Sequence, residues 1–361
     1  MLLTLILARV KPVQTRPMGP STIHRSMIRT PDPYGRDAAH PLDIPLKGWL
    51  QVVHRVWIES IRDNLSVLAA GCAFFALFAL FPALSALFLL YGLTVDPAAI
   101  EPQFGVLALV LPPQAYQMIV QETKVIAETS GNVFSWSLAF SLGLALWSAA
   151  ALVQTVFSAL NITYKERERR GWLRFYVSAF VFAVAGVLGG LVALVAIVYL
   201  PIAFAYAGHS TDFQYFVSLV RWPLLALMFF LVVACLYRYG PSRRSAKWRW
   251  VIAGSVFATI VWLAVSVGFS FYVSNFANYD KLYGSLGAVI VLLFWLYLAF
   301  YIVLLGAEIN AELELQTARD TTDGKPQPLG ERGAFVADHV AGVRDGDMRP
   351  GSPASRAFLA N

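Results

Sequence analysis

The sequence predicts an all-α integral membrane protein with six transmembrane helices, both termini on the cytoplasmic side, and an amphipathic helix in the interface before the first span. Three observations carry this. Hydrophobic residues make up 58% of the chain and charged residues 14%, against about 45–50% and about 25% in soluble domains. The apolar residues fall in runs long enough to cross a bilayer, which takes about 20 helical residues. Lys and Arg gather in alternate connections between those runs.

In chain order, residues 1–46 are expected to form a disordered tail. The first ten are apolar but too short to span, and the stretch that follows is rich in Pro, Arg and Ser. Next comes the amphipathic segment: Leu50, Val53, Trp57 and Ile61 recur at helical spacing, with Gln51, Arg55, Glu59 and Arg62 opposite them. It reads as a helix lying in the cytoplasmic interface; the alternative is a partner-facing helix packed beneath the bundle. The membrane domain, 47–315, holds spans at about 66–91, 133–162, 175–205, 222–237, 251–273 and 282–307. None of these contains Asp, Glu, Lys, Arg or His. Residues 316–361 are again polar with Gly and Pro, and are expected to be a second disordered tail.

Direction follows from the loops. The second-to-third connection and the start of the next helix carry Lys165, Arg167, Arg169, Arg170 and Arg174. The fourth-to-fifth carries Arg238, Arg243, Arg244, Lys247 and Arg249, and the other three connections hold one basic residue each. The basic loops therefore face the cytoplasm, and an even number of spans puts both ends there. The longest external connection, 96–131, contains Pro112-Pro113 and a predicted helix at 114–129. Trp172, Trp248 and Trp250 near the inner boundary, with Tyr272, Tyr279, Tyr283 and Trp222 near the outer one, match an aromatic belt.

Cys72 and Cys235 each stand alone in an apolar run and read as small core residues. Gly186 and Gly190 form a GxxxG, and Ala69, Ala73, Ala76 and Ala83 a small-residue stripe; both suit close helix packing. Pro82 and Pro201 should kink their helices, which makes Pro82 a candidate hinge against the plainer reading of an ordinary kink.

Four segments, DNLSVLAAGCAFFALFALFPAL (63–84), ALNITYKERERRGW (159–172), YRYGPSRRSAKWRW (237–250) and YGSLGAVIVLLFWLYLAFYIVLLGAEINAEL (283–313), together resemble the YihY/BrkB family of bacterial inner-membrane proteins. The resemblance covers about 47–315. It implies a six-span envelope protein of the bacterial inner membrane. A virulence or serum-resistance label attaches to some members, and an older ribonuclease label also circulates.

The residue types argue against the ribonuclease label. Metal-dependent hydrolysis needs several His, Asp or Glu side chains converging on an ion. Here His24, His40 and His339 lie in the tails, His54 on the interfacial helix and His209 outside, with no HxH or HExxH. No catalytic residue, metal or cofactor is expected, and the net charge of +6 is explained by the inside-positive loops rather than by nucleic acid. The expected partners are membrane lipids, with anionic headgroups at the basic loops.

Polar groups concentrate at the cytoplasmic side. Asn64, Gln154, Asn161, Glu308 and Asn310 are the candidate residues of a polar vestibule open to the cytoplasm, meeting a headgroup or solute. The competing reading is that they cap helix ends and bond between helices. The expected function is transport or flipping of a lipid or amphipathic solute, with a non-transporting envelope scaffold as the alternative.

Overall fold

The computed structural model describes residues 32–94, 136–194, 211–276 and 286–341. The helix expected at 114–129, Pro201, Tyr279 and Tyr283 lie outside the described residues. Seven long helices are described: α1 (Leu46–Arg62), α2 (Leu65–Thr94), α3 (Trp136–Thr163), α4 (Trp172–Leu194), α5 (Thr211–Tyr239), α6 (Trp248–Phe276) and α7 (Leu286–Gln316). They are followed by the single turn α8 (Phe335–Asp338). The only β-type pairing among the described residues is an isolated antiparallel bridge between Ala246 and Thr322.

Neighbouring helices pack in the order α4–α3–α2–α7–α6–α5, with a lighter contact of α5 back on α4, and α1 rests on α7. By length and apolarity, α3, α4, α6 and α7 each suffice to cross a membrane. The stretch Leu46–Arg62 with Leu65–Leu80 qualifies only as one pair bent by 63°, and the apolar part of α5, Pro223–Tyr239, is shorter.

Lipid is as apolar as leucine, so helices in it associate through close packing rather than hydrophobic exclusion. The interior accordingly favours small residues. Ala69, Cys72 and Ala73 of α2, Ala258 of α6, and Ala307 and Ala311 of α7 are fully buried, while Phe74, Phe78, Val67, Phe180, Leu188, Val267 and Phe271 point outward. α4 is the most outlying: only 11% of its apolar window is buried. Its GxxxG does not serve packing within the described chain, since no described atom lies within 4 Å of a methyl group built at Gly186 or Gly190. The α2 stripe does pack, through Ala69 and Ala73. Pro82 sits inside α2.

The polar end of the bundle departs most from the sequence expectation. Residues 33–45 and 317–341, expected to belong to disordered tails, are packed together. Ala318 N–H donates to Arg36 O at 2.7 Å, and the Thr317 hydroxyl donates to Ala38 O at 2.8 Å. Lys247 N–H donates to Thr321 O, and Asp323 N–H to Ser245 O, both at 2.8 Å. Arg332, 5% exposed, donates to the carbonyls of Gln327, Ala337 and Ala318. Asp338 accepts from the N–H groups of Gly330, Arg332 and Gly333. Low hydrophobicity signals disorder when a segment must build its own core. These residues instead bond to one another and to the connection at 240–247, a route that composition does not register.

For the same reason α7 does not stop at 307. At about 1.5 Å per residue its 31 residues run about 46 Å, longer than a hydrocarbon core of about 30 Å. Its last turns carry Glu308, Glu312 and Glu314 into the polar end.

Candidate functional site

Four chain segments converge where α7 ends: the α1–α2 corner, the exit of α3 (164–171), the α5–α6 connection (240–247) and the strap 317–341. The corner is made by Asn64 in the left-handed region (φ 53), which a short amide side chain tolerates better than most. Its Nδ2 donates to Arg62 O at 3.3 Å and the residue is exposed. Lys165, φ 56, makes the matching turn after α3 and donates to Glu59 at 2.7 Å, tying the two turns together. Arg62 also donates to Glu59.

Asn161 and Asn310 are both buried, and each uses both ends of its amide. Asn161 Nδ2 donates to Glu168 at 2.9 Å while its Oδ1 accepts Ser242 N–H at 2.7 Å, bracing the two basic loops. Asn310 Oδ1 accepts Gly254 N–H at 2.7 Å and its Nδ2 donates to Val251 O at 3.0 Å, so it inserts into the backbone of α6. That insertion needs glycine: a methyl group at Gly254 would overlap the Gly306 carbonyl oxygen and the Asn310 side chain. Tyr237, fully buried, donates to Val303 O across the same seam.

Facing the other way, α7 carries its acids. Arg55 of α1 donates to Glu312 through Nε and to Gln316 through Nη2 at 2.8 Å. Arg243 donates to Glu314 at 2.7 Å, with both side chains 1% exposed, and its guanidinium lies 4.7 Å from the centre of the Tyr164 ring. Glu314's second oxygen accepts the Thr321 hydroxyl at 2.6 Å. Burial works against the Arg243 charge, but Glu314 and its neighbours outweigh it and the pKa is raised. Glu166 is raised mainly by burial, against the Phe335 N–H that donates to it at 2.6 Å. Glu168 goes the other way. Burial opposes its charge, but the side-chain and backbone bonds from Arg170, with Asn161, hold it at about 2.

Glu308 is fully buried and neither carboxyl oxygen has a hydrogen-bond partner. The charges that act on it come from Glu312, Asp63, Lys165 and Glu59, and at the same end Asp63 Oδ2, Thr163 Oγ1, Tyr164 Oη and two nitrogens of Arg243 are also buried without hydrogen-bond partners. Beside this cluster a cleft of about 720 Å³ opens between the α3 exit and the strap, lined among others by Lys165, Arg167, Arg169, Phe335, Asp338 and His339.

Of the five sequence-predicted vestibule residues, then, Glu308 and Asn310 lie fully buried near each other, and Asn161 lies at the same end. Asn64 is exposed on the corner, and Gln154 is half-buried two helical turns before Asn161. Asn161 and Asn310 are bonded as braces, whereas neither carboxyl oxygen of Glu308 has a hydrogen-bond partner. The residues that complete the cluster, Tyr164, Lys165, Asp63 and Arg243, were hidden from sequence reasoning because each sits in a loop. The YKERERR run (164–170) was the available signal, but the inside-positive rule already explained it. Among the described residues no group of three or more His, Cys, Asp or Glu could hold a metal ion.

Long apolar helices packed through small residues, with a charged cap at one end, define a multi-pass membrane protein. Residues 56–330 match the model of the family described as virulence factor BrkB, and the chain belongs to that family. A Bacillus subtilis protein, YfkH, described as ribonuclease-like, is 34% identical over 256 residues, covering 68% of this chain and 88% of its own. UPF0761 membrane proteins of Pseudoalteromonas translucida and Tolumonas auensis are 25% and 26% identical, each over 76% of this chain and 88% of theirs. No solved structure matches.

Proposed function

We propose that this BrkB-family protein crosses the bacterial inner membrane six times with both ends in the cytoplasm, and moves a lipid or amphipathic solute bearing an anionic headgroup. The observation that carries the reading is a cleft that sets Lys165, Arg167 and Arg169 against Glu331 and Asp338, at the end of the bundle that holds buried polar groups without hydrogen-bond partners. The bonds that brace the bundle, through Asn161, Asn310 and Tyr237, are complete without those groups. Arg167 and Arg169 at the cleft are exposed, Arg169 with a loose ion pair to Glu166 at 3.8 Å, and guanidinium groups suit a phosphate geometrically.

α1 sets the depth in this reading. Its apolar row, Leu50, Val53, Trp57 and Ile61, is exposed, while Arg55, Gln51 and Glu59 on the opposite side bond to α7 or Lys165. A helix whose polar row faces its own protein and whose apolar row faces out is placed well in the lipid interface. The cleft then lies at headgroup level. The proposed role is non-enzymatic. What supports it is the scatter of the described histidines: His40 and His54 are exposed, and His339 is half-buried against Phe335.

A second reading, an envelope scaffold, is favoured by the two asparagines, which bond as static braces. The test is reconstitution of the full chain in vesicles with labelled anionic phospholipid. Transport predicts movement faster than in protein-free vesicles, slowed by a combined Arg167→Gln and Arg169→Gln change. Movement no faster than the protein-free rate, with the protein folded, would leave the scaffold.

A further inference from the structure

We propose that Glu308 is a proton-binding site inside the bundle. This inference does not depend on lipid movement.

The argument starts from what surrounds the carboxyl. Glu308 is fully buried on the part of α7 that meets the α1–α2 corner and the α3 exit, and neither oxygen receives a hydrogen bond. A charged carboxylate taken out of water and given no donor is among the costliest groups a fold can hold. The facing charges do not relieve it. Glu312 lies one turn on along the same helix, Glu59 comes from α1, Asp63 from the corner and Lys165 from the α3 exit. Of these, Glu312 is engaged by Arg55, and Lys165 is bonded to Glu59. Tyr164, whose electrostatic neighbours include Glu308, Glu314 and Arg243, has its own hydroxyl buried and unpaired. A neutral carboxyl and a phenol side by side are compatible with this surrounding; a carboxylate is not.

Two further observations separate a proton from other occupants and from a merely structural acid. No group of three or more acidic, His or Cys side chains among the described residues could hold a metal ion, so the cation that fits a lone carboxyl is the proton. A purely structural role would favour an amide or an apolar residue here, as α7 uses at Asn310, Ala307 and Ala311. The groups through which a proton would exchange are Asp63 and Lys165: both are half-buried and act on Glu308, and Asp63 adjoins the exposed Arg62.

The experiment is pH-difference infrared spectroscopy on the full chain in lipid nanodiscs, comparing wild type, Glu308→Gln and Glu312→Gln. The expected result is a protonated-carboxyl band in wild type that bleaches as pH rises, is missing from Glu308→Gln and is kept in Glu312→Gln. Absence of any such band at every pH where wild type stays helical overturns the proposal, as does the same band in a folded Glu308→Gln. Because wild type alone can give the overturning result, a variant that fails to fold does not shield the idea. Lipid movement is scored separately: a titrating Glu308 in a protein that moves no lipid would defeat the transport reading and leave this one standing.

Discussion

Asn310 and Glu308 stand two residues apart on one helix and could hardly be treated more differently. The face of α7 turned to α6 is closed: Asn310 spends both ends of its amide on the α6 backbone, and Gly254 lies against Gly306 with no room for a methyl group. The face turned to the α1–α2 corner is less complete: Glu312 is bonded to Arg55, but Glu308 and Asp63 hold buried oxygens that no hydrogen bond pairs. Complete networks rigidify a structure, whereas partly filled ones cost stability. On the proposed function, one face holds the bundle together and the other is where a passing proton or headgroup acts.

Substitutions can sharpen that contrast, and the largest effect is expected where a buried charge loses its partner. Arg243→Ala strands Glu314, 1% exposed, and should cost about 3–5 kcal/mol, read as a lowered unfolding midpoint in detergent. Asn310→Leu takes away the acceptor of Gly254 N–H, while Val251 O keeps the Ser255 hydroxyl, and should cost about 1–3 kcal/mol for the one group left unpaired. Glu308→Gln removes no bond and should leave the midpoint unchanged or higher. A drop as large as that of Asn310→Leu would erase the distinction between the two faces. Asn64→Gly should fall within about 0.5 kcal/mol of wild type, because glycine accepts the left-handed corner freely, while Asn64→Val should be measurably worse.

A pH-dependent effect at the loops is smaller still. Glu168 has its folded pKa lowered to about 2, so its bracing contribution is present above the ordinary glutamate range and is lost as pH falls toward 2. Once the intrinsic slowing of amide exchange in acid is divided out, the protection of 164–171 should therefore fall on acidification over that window, and Glu168→Gln should abolish that fall.

Much of the architecture was legible because lipid imposes a simple pattern. The apolar runs located all of α2–α7, since a helix in hydrocarbon must satisfy its own backbone. The amphipathic spacing of Leu50, Val53, Trp57 and Ile61 located α1 and the face it exposes. What the runs could not mark was where helices stop. α7 runs nine residues past 307, about two and a half turns, where Arg55, Arg243 and Thr321 meet its acids, and those partners are distant in sequence. Counting spans up to residue 307 therefore left Glu308 outside the bundle, although it is fully buried within it. The strap 317–341 escaped for a related reason: its core is Arg332 and Asp338 bonded to backbone, and that composition looks like a tail. Gly186 and Gly190 mark the opposite error, a packing motif with no described neighbour against it.

The central claim is that the two faces of α7 divide structure from function. Its most direct test measures unfolding and movement of labelled anionic phospholipid on the same vesicle preparations of wild type, Glu308→Gln and Asn310→Leu. The account predicts that Glu308→Gln keeps wild-type stability and moves lipid at least about tenfold more slowly, a barrier change of about 1.4 kcal/mol, while Asn310→Leu loses stability first. Wild-type movement by Glu308→Gln, or instability equal to that of Asn310→Leu, would contradict it.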